Sequence, residues 1–209
     1  MASKRKSIVL SLIQCGETAW DAEGRLHGRT DLPLSTAGRV AVTEDAACLV
    51  RAGIAIVHHS PDEAATETAQ IVAKAVGAKT KSIAELAGVD LGVLDGLTEH
   101  DFAERYPKRY RQWQDDPVSL LPPEGEEVAD ARARMFSAAA KMLRRCRSGE
   151  VAVVLHSLGL GLLRCWLADR PPTEAWALVR ARPRIERYTF AVEMIDWLEE
   201  VAKAQFSHS

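Results

Sequence analysis

The sequence predicts an α/β protein, a three-layer αβα sandwich with a mostly parallel central sheet. Short apolar runs alternate with longer stretches whose apolar residues recur at helical spacing, as in a parallel sheet covered by helices on both faces. Three of these runs end in polar residues, near positions 14, 58 and 156. Such strand ends form one pocket if they are adjacent at the carboxyl edge of the sheet.

Length and composition are those of one ordinary globular domain. The chain has 209 residues, of which 47% are hydrophobic and 27% charged. We expect a disordered basic leader at 1–7, a single domain at 8–200 and a flexible tail at 201–209. A net charge of -2 gives no overall positive field that would attract nucleic acid or an anionic membrane. The absence of a long apolar run or signal-like start predicts no membrane span and a cytoplasmic location.

The four cysteines predict neither a disulfide framework nor a metal site. Their spacings match neither C-x-x-C nor a zinc finger. Three of them, Cys48, Cys146 and Cys165, lie in helix-like stretches and are interpreted as small core residues. We expect no cofactor and no metal.

The first half of the chain begins with a strand at 8–13 and a glycine-punctuated loop at 24–34. Ser35 is expected to cap the first helix, and Gly53 is expected to close it. A second short strand follows at 54–57. The helix between Ser35 and Gly53 has an apolar stripe formed by Val42, Ala46, Leu49 and Val50.

The next helix is predicted between a cap at Asp62 and a terminating glycine at Gly77. A weaker strand is expected at 79–84, and another helix begins at about Thr98. The apolar stripe of the helix after Asp62 is formed by Ala65, Ala69, Val72 and Val76.

The second half contains a long helix at 126–146 that Gly149 interrupts, and then the most obvious buried strand, 151–155. A helix at 158–168 follows, and another is expected near Trp176. Segment 187–192 is β-prone, and segment 194–204 can be helical. The long helix has an apolar face formed by Val128, Met135, Ala139, Met142 and Cys146.

Five motifs in this order resemble the histidine phosphatase superfamily, in its phosphoglycerate mutase-like branch, over residues 8–192. The family opens with R-H-G-E-T after the first strand, and here residues 14–18 read Q-C-G-E-T. The family's G-R-x-x-G-x-x-D-x-P-L is matched throughout by 24–34. Weaker matches cover 60–69, 86–98 and 153–158.

The departures from the family pattern fall on its chemistry. The resemblance implies a nucleophilic histidine where Cys15 stands and phosphate-binding arginines where Gln14 and Ala64 stand. The family's general acid falls on Gly88, and only His156 remains of the five expected groups. Phosphoryl transfer depends on positioning and on cationic stabilisation, so the loss of both guanidinium groups removes most of its basis.

Two hypotheses follow from these departures. The first is a catalytically inactive pseudophosphatase with a binding or regulatory role. The alternative is a phosphatase with weak or altered phosphomonoester hydrolysis that uses Cys15 or His156. A cysteine nucleophile needs a low pKa and cationic neighbours, yet the residue at the C-x5-R arginine position is Asp21. A small residue filling the vacated space is the simpler interpretation of Cys15.

A pocket at the sheet edge could still bind a small anionic ligand or a protein partner. Gly16 would let a ligand approach the backbone, and Arg25 and Arg29 could hold an anion at the rim. Asp62 and Glu63 add negative charge that a phosphate dianion would oppose. The expected ligand-binding residues are Cys15, Gly16, Thr18, Arg25, His59, Ser60, His156 and Ser157.

A metal alternative at this edge uses Cys15, His59 and His156, whose residue types suit zinc although their spacing carries no signature. A metal-free pocket is the interpretation that we favour. His59 and His156 can equally be hydrogen-bonded structural histidines at strand ends.

A basic cluster near the end of the chain comprises Arg180, Arg182, Arg184 and Arg187. Glu186 interrupts it and no aromatic residues interleave as in single-strand nucleic-acid binding, so we expect no nucleic-acid partner. A solvated face or a contact to an acidic partner explains it better. Trp197, with Ile195 and Leu198, could pack on the core or form a homodimer contact.

Overall fold

The computed structural model describes residues 7–146 and 149–191. One five-stranded sheet has the order β3-β2-β4-β1-β5, with β1, β2, β3 and β4 parallel and β5 antiparallel to β1. The strands are β1 (Ser7–Gln14), β2 (Ile54–His59), β3 (Lys79–Ser82), β4 (Gly149–Leu155) and β5 (Ile185–Ala191).

Eight α-helices are present in the described part of the chain. They are α1 (Ala19–Ala22), α2 (Thr36–Ala46), α3 (Glu63–Val76), α4 (Glu99–Arg105), α5 (Pro107–Asp115), α6 (Val128–Arg145), α7 (Ser157–Leu167) and α8 (Ala175–Ala181). Short 3-10 turns lie at Ala47–Leu49, Ala84–Leu86, Gly92–Leu94, Pro117–Ser119 and Pro172–Glu174.

Helices cover both faces of the sheet, as the sequence predicts. The buried residues of α2 and α3 pack with Ile13, Val57 and Val154 on one face. On the other face, α6 and α7 pack with strand residues that include Leu10 and Val153. The αβα sandwich with a mostly parallel sheet is therefore confirmed.

Local capping rules explain where several helices begin and end. The Ser35 hydroxyl accepts from the backbone N–H of Gly38, and the Asp62 carboxylate accepts from that of Ala65. Gly77 closes α3 in the left-handed conformation, with φ of 72°. These predicted boundaries are confirmed, as is the start of a helix at about Thr98, which the structure shows to be the N-cap of α4.

The predicted end of the first helix is wrong. The α-helix stops at Ala46 and continues as a 3-10 turn, which winds more tightly than an α-helix. Leu49 in this turn is buried as expected, but Val50 after it is turned away from the core. Val50 is consequently 57% exposed, and Cys48 is exposed rather than part of the core. Gly53 has a φ of 64° in the turn before β2, where it serves the loop and does not close the helix.

Other expectations differ in smaller ways. Cys165 is buried as expected, whereas Cys146 is half-buried at the end of α6. The sequence predicts one helix after Thr98, but the structure has two, α4 and α5. The second begins at Pro107, because proline suits the first turn of a helix.

Several predicted segments lie wholly or partly outside the described residues. Ser7 begins β1, so the leader does not extend to position 7, and residues 1–6 are not described. The tail at 201–209, the helix at 194–204 and the expected contact of Trp197 also fall outside. Among the helices that are described, none has both the length and the apolarity to span a membrane.

Candidate functional site

The carboxyl ends of β1, β4 and β2 lie side by side, as predicted from their polar ends. Gln14 is in register with Leu155, and His59 with Val154. The backbone N–H of Cys15 donates to the Leu155 carbonyl at 2.9 Å, and this bond continues the hydrogen bonding between β1 and β4 by one residue. This arrangement brings Cys15, His156 and the start of α3 to one place.

Gly16 is packed too tightly to carry a side chain. A Cβ at this position would lie 2.7 Å from Cγ2 of Val42 and 2.8 Å from Cδ2 of Leu34. The space on the Cβ side of Gly16 is therefore taken by two core side chains. A role of Gly16 in ligand binding through its backbone stays a prediction.

The Thr68 hydroxyl contacts the Cys15 thiol. The Thr68 hydroxyl donates to the Ala64 carbonyl at 2.8 Å and accepts from the Gly16 N–H at 3.0 Å. Its one proton is thereby committed, so the contact of 3.7 Å to Sγ of Cys15 is an S–H donation to Thr68. Sequence reasoning did not select Thr68, although it matches the second threonine of the 60–69 motif.

Cys15 is only 6% exposed and is poorly suited to act as a nucleophile. Burial raises the pKa of its thiol well above the ordinary range, and the charge of Asp62 raises it further. A nucleophilic cysteine needs the opposite shift, because the thiolate is the reactive species. The low-pKa Cys15 that the phosphatase alternative requires is therefore contradicted.

An ion pair between Asp62 and His156 lies at the centre of the site. Oδ1 of Asp62 is 2.8 Å from Nε2 of His156, and both side chains are largely buried. Burial acts to raise the pKa of the Asp62 carboxyl, but the His156 contact and hydrogen bonds from Ser60 and from the Ala65 N–H lower it well below its usual range. Asp62 is an anion that the fold supplies to His156.

His27 joins this pair through a contact that the sequence did not predict. Its ring meets His156 edge-on, with centroids 5.0 Å apart. Nε2 donates to the Thr30 carbonyl at 2.9 Å, and Nδ1 faces Oδ2 of Asp21 at 3.9 Å. Burial acts to lower the pKa of His27, but Asp21 and the Thr30 carbonyl outweigh it and raise that pKa. His27 occupies a variable position of the 24–34 motif, so no sequence signal marked it.

The two rim arginines are already bonded within the protein. Nε of Arg25 donates to Glu23 at 2.6 Å, and its Nη1 donates to the Gly96 carbonyl at 2.9 Å. Arg29 donates to Glu126 at 2.9 Å and to the carbonyl of Gly88 at 3.0 Å. These bonds hold loops together and reduce what either side chain can offer to an anion.

Three further expected ligand-binding residues make local hydrogen bonds. Thr18 caps α1, and its hydroxyl donates to Asp21 at 2.7 Å. Ser157, at the start of α7, accepts from the Gln14 amide at 3.3 Å. Ser60 donates to Asp62. Their role in ligand binding stays a prediction.

His59 does not converge with Cys15 and His156. Its Nδ1 donates to the Ser60 carbonyl at 2.7 Å, as in the structural interpretation of this residue. The side chain that completes the cluster is Asp62. The possible ligand atoms of Cys15, Asp62 and His156 all lie within 4.8 Å of one another. The metal alternative with His59 is therefore wrong in its third residue.

Two of the positions where the resemblance implies a catalytic group, Ala64 and Gly88, are closely packed. Ala64 is fully buried against the sheet in α3. A Cβ added at Gly88 would lie 2.3 Å from the Gly28 carbonyl oxygen, which is closer than real contacts allow. Neither position can take a large side chain without movement of the backbone around it.

Two cavities on different parts of the molecule are relevant. One of about 220 Å³ adjoins the ion pair and is lined by residues that include His27, His156, Ser157, Trp176 and Arg180. A larger one of about 670 Å³ lies between β2, β3 and the end of α6 and shares no lining residue with the first.

Three of the four arginines in the basic cluster near the end of the chain form ion pairs with acidic residues of the same chain. Arg182 lies 2.8 Å from Glu186, Arg184 lies 3.0 Å from Asp45, and Arg187 lies 2.6 Å from Glu150. These three arginines serve the fold.

Comparison with known proteins gives a family and a set of structural neighbours. A family model described as the histidine phosphatase superfamily (branch 1) matches residues 10–193. The protein named "Probable phosphoglycerate mutase GpmB" of Escherichia fergusonii is 30% identical over 173 residues, which are 83% of this chain and 79% of that protein.

Solved structures agree in fold. Bacillus stearothermophilus YhfR is similar with a TM-score of 0.76 and 26% identity, over 84% of this chain and 85% of that one. The native structure of mycobacterial glucosyl-3-phosphoglycerate phosphatase has a TM-score of 0.71 and 24% identity, over 83% and 85%. The second likeness concerns the fold alone.

Proposed function

This chain belongs to branch 1 of the histidine phosphatase superfamily, and we propose that it is a catalytically inactive member with a binding or regulatory role. The observation that carries the proposal is the contact of 2.8 Å between Asp62 and His156. His156 is the one residue, of the five catalytic groups that the motif resemblance implies, that has the expected identity in this sequence. A carboxylate of the protein itself now occupies its hydrogen-bonding position.

The electrostatics of the site support this proposal. A phosphate dianion would have to displace Asp62 from His156 and then lie beside that carboxylate. Like charges at such distances in a largely buried site repel strongly. Gln14 and Ala64 supply no positive charge in compensation, and Cys15 is a buried neutral thiol.

The shape of the site supports it as well. The position of the general acid is Gly88, where even a Cβ would meet the Gly28 carbonyl oxygen at 2.3 Å. Each preorganised group that is lost costs about 2.7–4 kcal/mol of transition-state stabilisation. Loss of the nucleophile, both arginines and the acid leaves too little to lower the barrier to phosphoryl transfer.

The test is a turnover assay with an aryl phosphate and with 3-phosphoglycerate, with intact mass recorded after substrate addition. We expect no turnover above buffer for the wild type, for His156→Ala or for Cys15→Ser, and no mass gain of one phosphoryl group. An active member of the family, run in parallel, checks the assay. Turnover in the wild type that disappears in His156→Ala would establish the phosphatase alternative.

Binding is tested separately by calorimetry with inorganic phosphate. We expect no saturable binding by the wild type and weak binding by Asp62→Asn, which removes the competing negative charge. Saturable binding of phosphate by the wild type, lost in His156→Ala, would contradict the electrostatic argument.

A further inference from the structure

Three side chains of different chemistry converge at the sheet edge: the thiol of Cys15, the carboxylate of Asp62 and the imidazole of His156. Their possible ligand atoms lie within 4.8 Å of one another, with Cys15 buried and the other two half-buried. They come from three elements that are far apart in sequence, namely the end of β1, the cap of α3 and the end of β4. We propose that these residues bind a zinc ion.

The donor set fits zinc chemically. Thiolate sulfur, imidazole nitrogen and carboxylate oxygen are the usual protein ligands of Zn²⁺, with bonds of about 2.0–2.3 Å. In a tetrahedral site the ligand atoms are then separated by about 3–4 Å. The observed separations require shifts of about 1 Å, which side-chain rotation supplies. Three protein ligands leave a fourth coordination position for water or another ligand.

Charge balance favours a divalent cation at this place. The Asp62 carboxylate accepts hydrogen bonds from the Ser60 hydroxyl and from the Ala65 N–H and brings negative charge to the cluster. When the metal binds, Cys15 releases its thiol proton and His156 presents Nε2 as a lone pair. One thiolate, one carboxylate and one neutral imidazole then neutralise the charge of Zn²⁺, so the loaded site buries no net charge.

The surroundings hold two of the ligands in place. The backbone N–H of Ala65 donates to Asp62 at 2.9 Å, and Ser60 donates to the same carboxylate. Hydrogen bonds of this kind orient ligating carboxylates. The hydroxyl of Thr68 lies 3.7 Å from Sγ of Cys15 and is held there by its hydrogen bond to the Ala64 carbonyl.

The experiment titrates chelator-treated protein with Co²⁺ and then with Zn²⁺ in competition with a chromophoric chelator. We expect one equivalent of cobalt, with a thiolate-to-cobalt charge-transfer band in the near ultraviolet. The band should disappear in Cys15→Ser and in Cys15→Ala and persist in Cys48→Ser. Cys48 is the matched control because it is an exposed cysteine that is not part of the cluster. His156→Gln and Asp62→Asn should each weaken zinc binding by more than the roughly 10-fold to 100-fold that the loss of a residue supporting a ligand costs.

Clear outcomes would overturn the proposal. These are a cobalt spectrum without a thiolate band, a band that survives in both Cys15 variants, or zinc affinity unchanged in His156→Gln. Should the Cys15 variants fail to fold, X-ray absorption on the zinc-loaded wild type decides the matter, since the site predicts one sulfur among nitrogen and oxygen ligands.

The test of the metal site is independent of the test of the proposed function. Its readouts are stoichiometry and spectra, whereas the proposed function is tested by turnover. If the zinc-loaded protein hydrolysed an aryl phosphate, the inactive assignment would fail while the metal site would stand.

Discussion

Nε2 of His156 and Oδ1 of Asp62 lie 2.8 Å apart, although the two residues are separated by 94 positions in the sequence. The contact joins the end of β4 to the cap of α3. It therefore links the stability of the fold to the chemistry of the site, and the first prediction follows from it.

Asp62→Ala should lower the free energy of unfolding of the metal-free protein by about 2 kcal/mol. The change removes the N-cap of α3 and leaves His156 without its partner. Asp62→Asn keeps the cap and should cost about half as much. Urea denaturation at neutral pH measures both. Asp115→Ala is the control, at an exposed aspartate, and should change the free energy by less than about 0.5 kcal/mol. Equal effects of Asp62→Ala and Asp115→Ala would contradict the role of the contact.

Cys15 should resist alkylation in the native, metal-free protein. It is buried and its thiol pKa is raised, whereas Cys48 is exposed. We expect iodoacetamide at pH 7.5, about one unit below an ordinary thiol pKa, to modify Cys48 at least about tenfold faster than Cys15. Peptide mapping by mass spectrometry gives both rates in one sample, and denaturant should equalise them. Modification of native Cys15 as fast as Cys48 would mean that the site opens or that the thiol is activated.

Gly88 should not tolerate any side chain. A Cβ there would lie 2.3 Å from the Gly28 carbonyl oxygen, so Gly88→Ala should destabilise the protein by about 1–3 kcal/mol and Gly88→Glu by at least as much. Thermal unfolding checks this, with the exposed substitution Ala84→Glu as the matched control. A Gly88→Glu protein as stable as the wild type would show that the loop yields easily, and the family's acid could then be restored.

His58 should make the protein less stable in mild acid. Burial, with Lys81 and His59 nearby, lowers the pKa of this 7% exposed residue to about 4, from about 6.5 in an unfolded chain. The unfolded state therefore binds the proton more readily, and stability is lost as the pH falls from 6.5 toward 4. The loss reaches at most about 3 kcal/mol.

The measurement for His58 is the free energy of unfolding between pH 7 and pH 4 for the wild type and for His58→Gln. Other titrating groups, including His27 and Asp62, are common to both proteins, so the difference isolates residue 58. We expect the wild type to lose stability more steeply than the variant. Parallel pH profiles would mean that His58 gains its proton in the folded state without cost.

Much of the fold could be predicted from the sequence because its signals are local. The apolar run at 151–155 by itself indicates the buried strand β4. Ser35, Asp62 and Gly77 determine helix ends through their own side chains or backbone conformation. The order of motifs along 8–192 was likewise sufficient to indicate the family that the comparison confirmed. The end of α2 could not be predicted, because neither a glycine nor a side-chain cap marks the change from α-helix to 3-10 turn at Ala47.

The sequence by itself determined which chemical groups stand at the sheet edge and which family groups do not. Only the tertiary structure decided which of them meet. Asp62 was recognised as a cap and as an added negative charge, but its contact with His156 depends on how α3 and β4 pack. His59 was expected beside Cys15 and His156, but its ring donates a hydrogen bond to the carbonyl of its neighbour Ser60. A contact across 94 residues leaves no periodicity or spacing in the chain, so the partner of His156 could be found only in three dimensions.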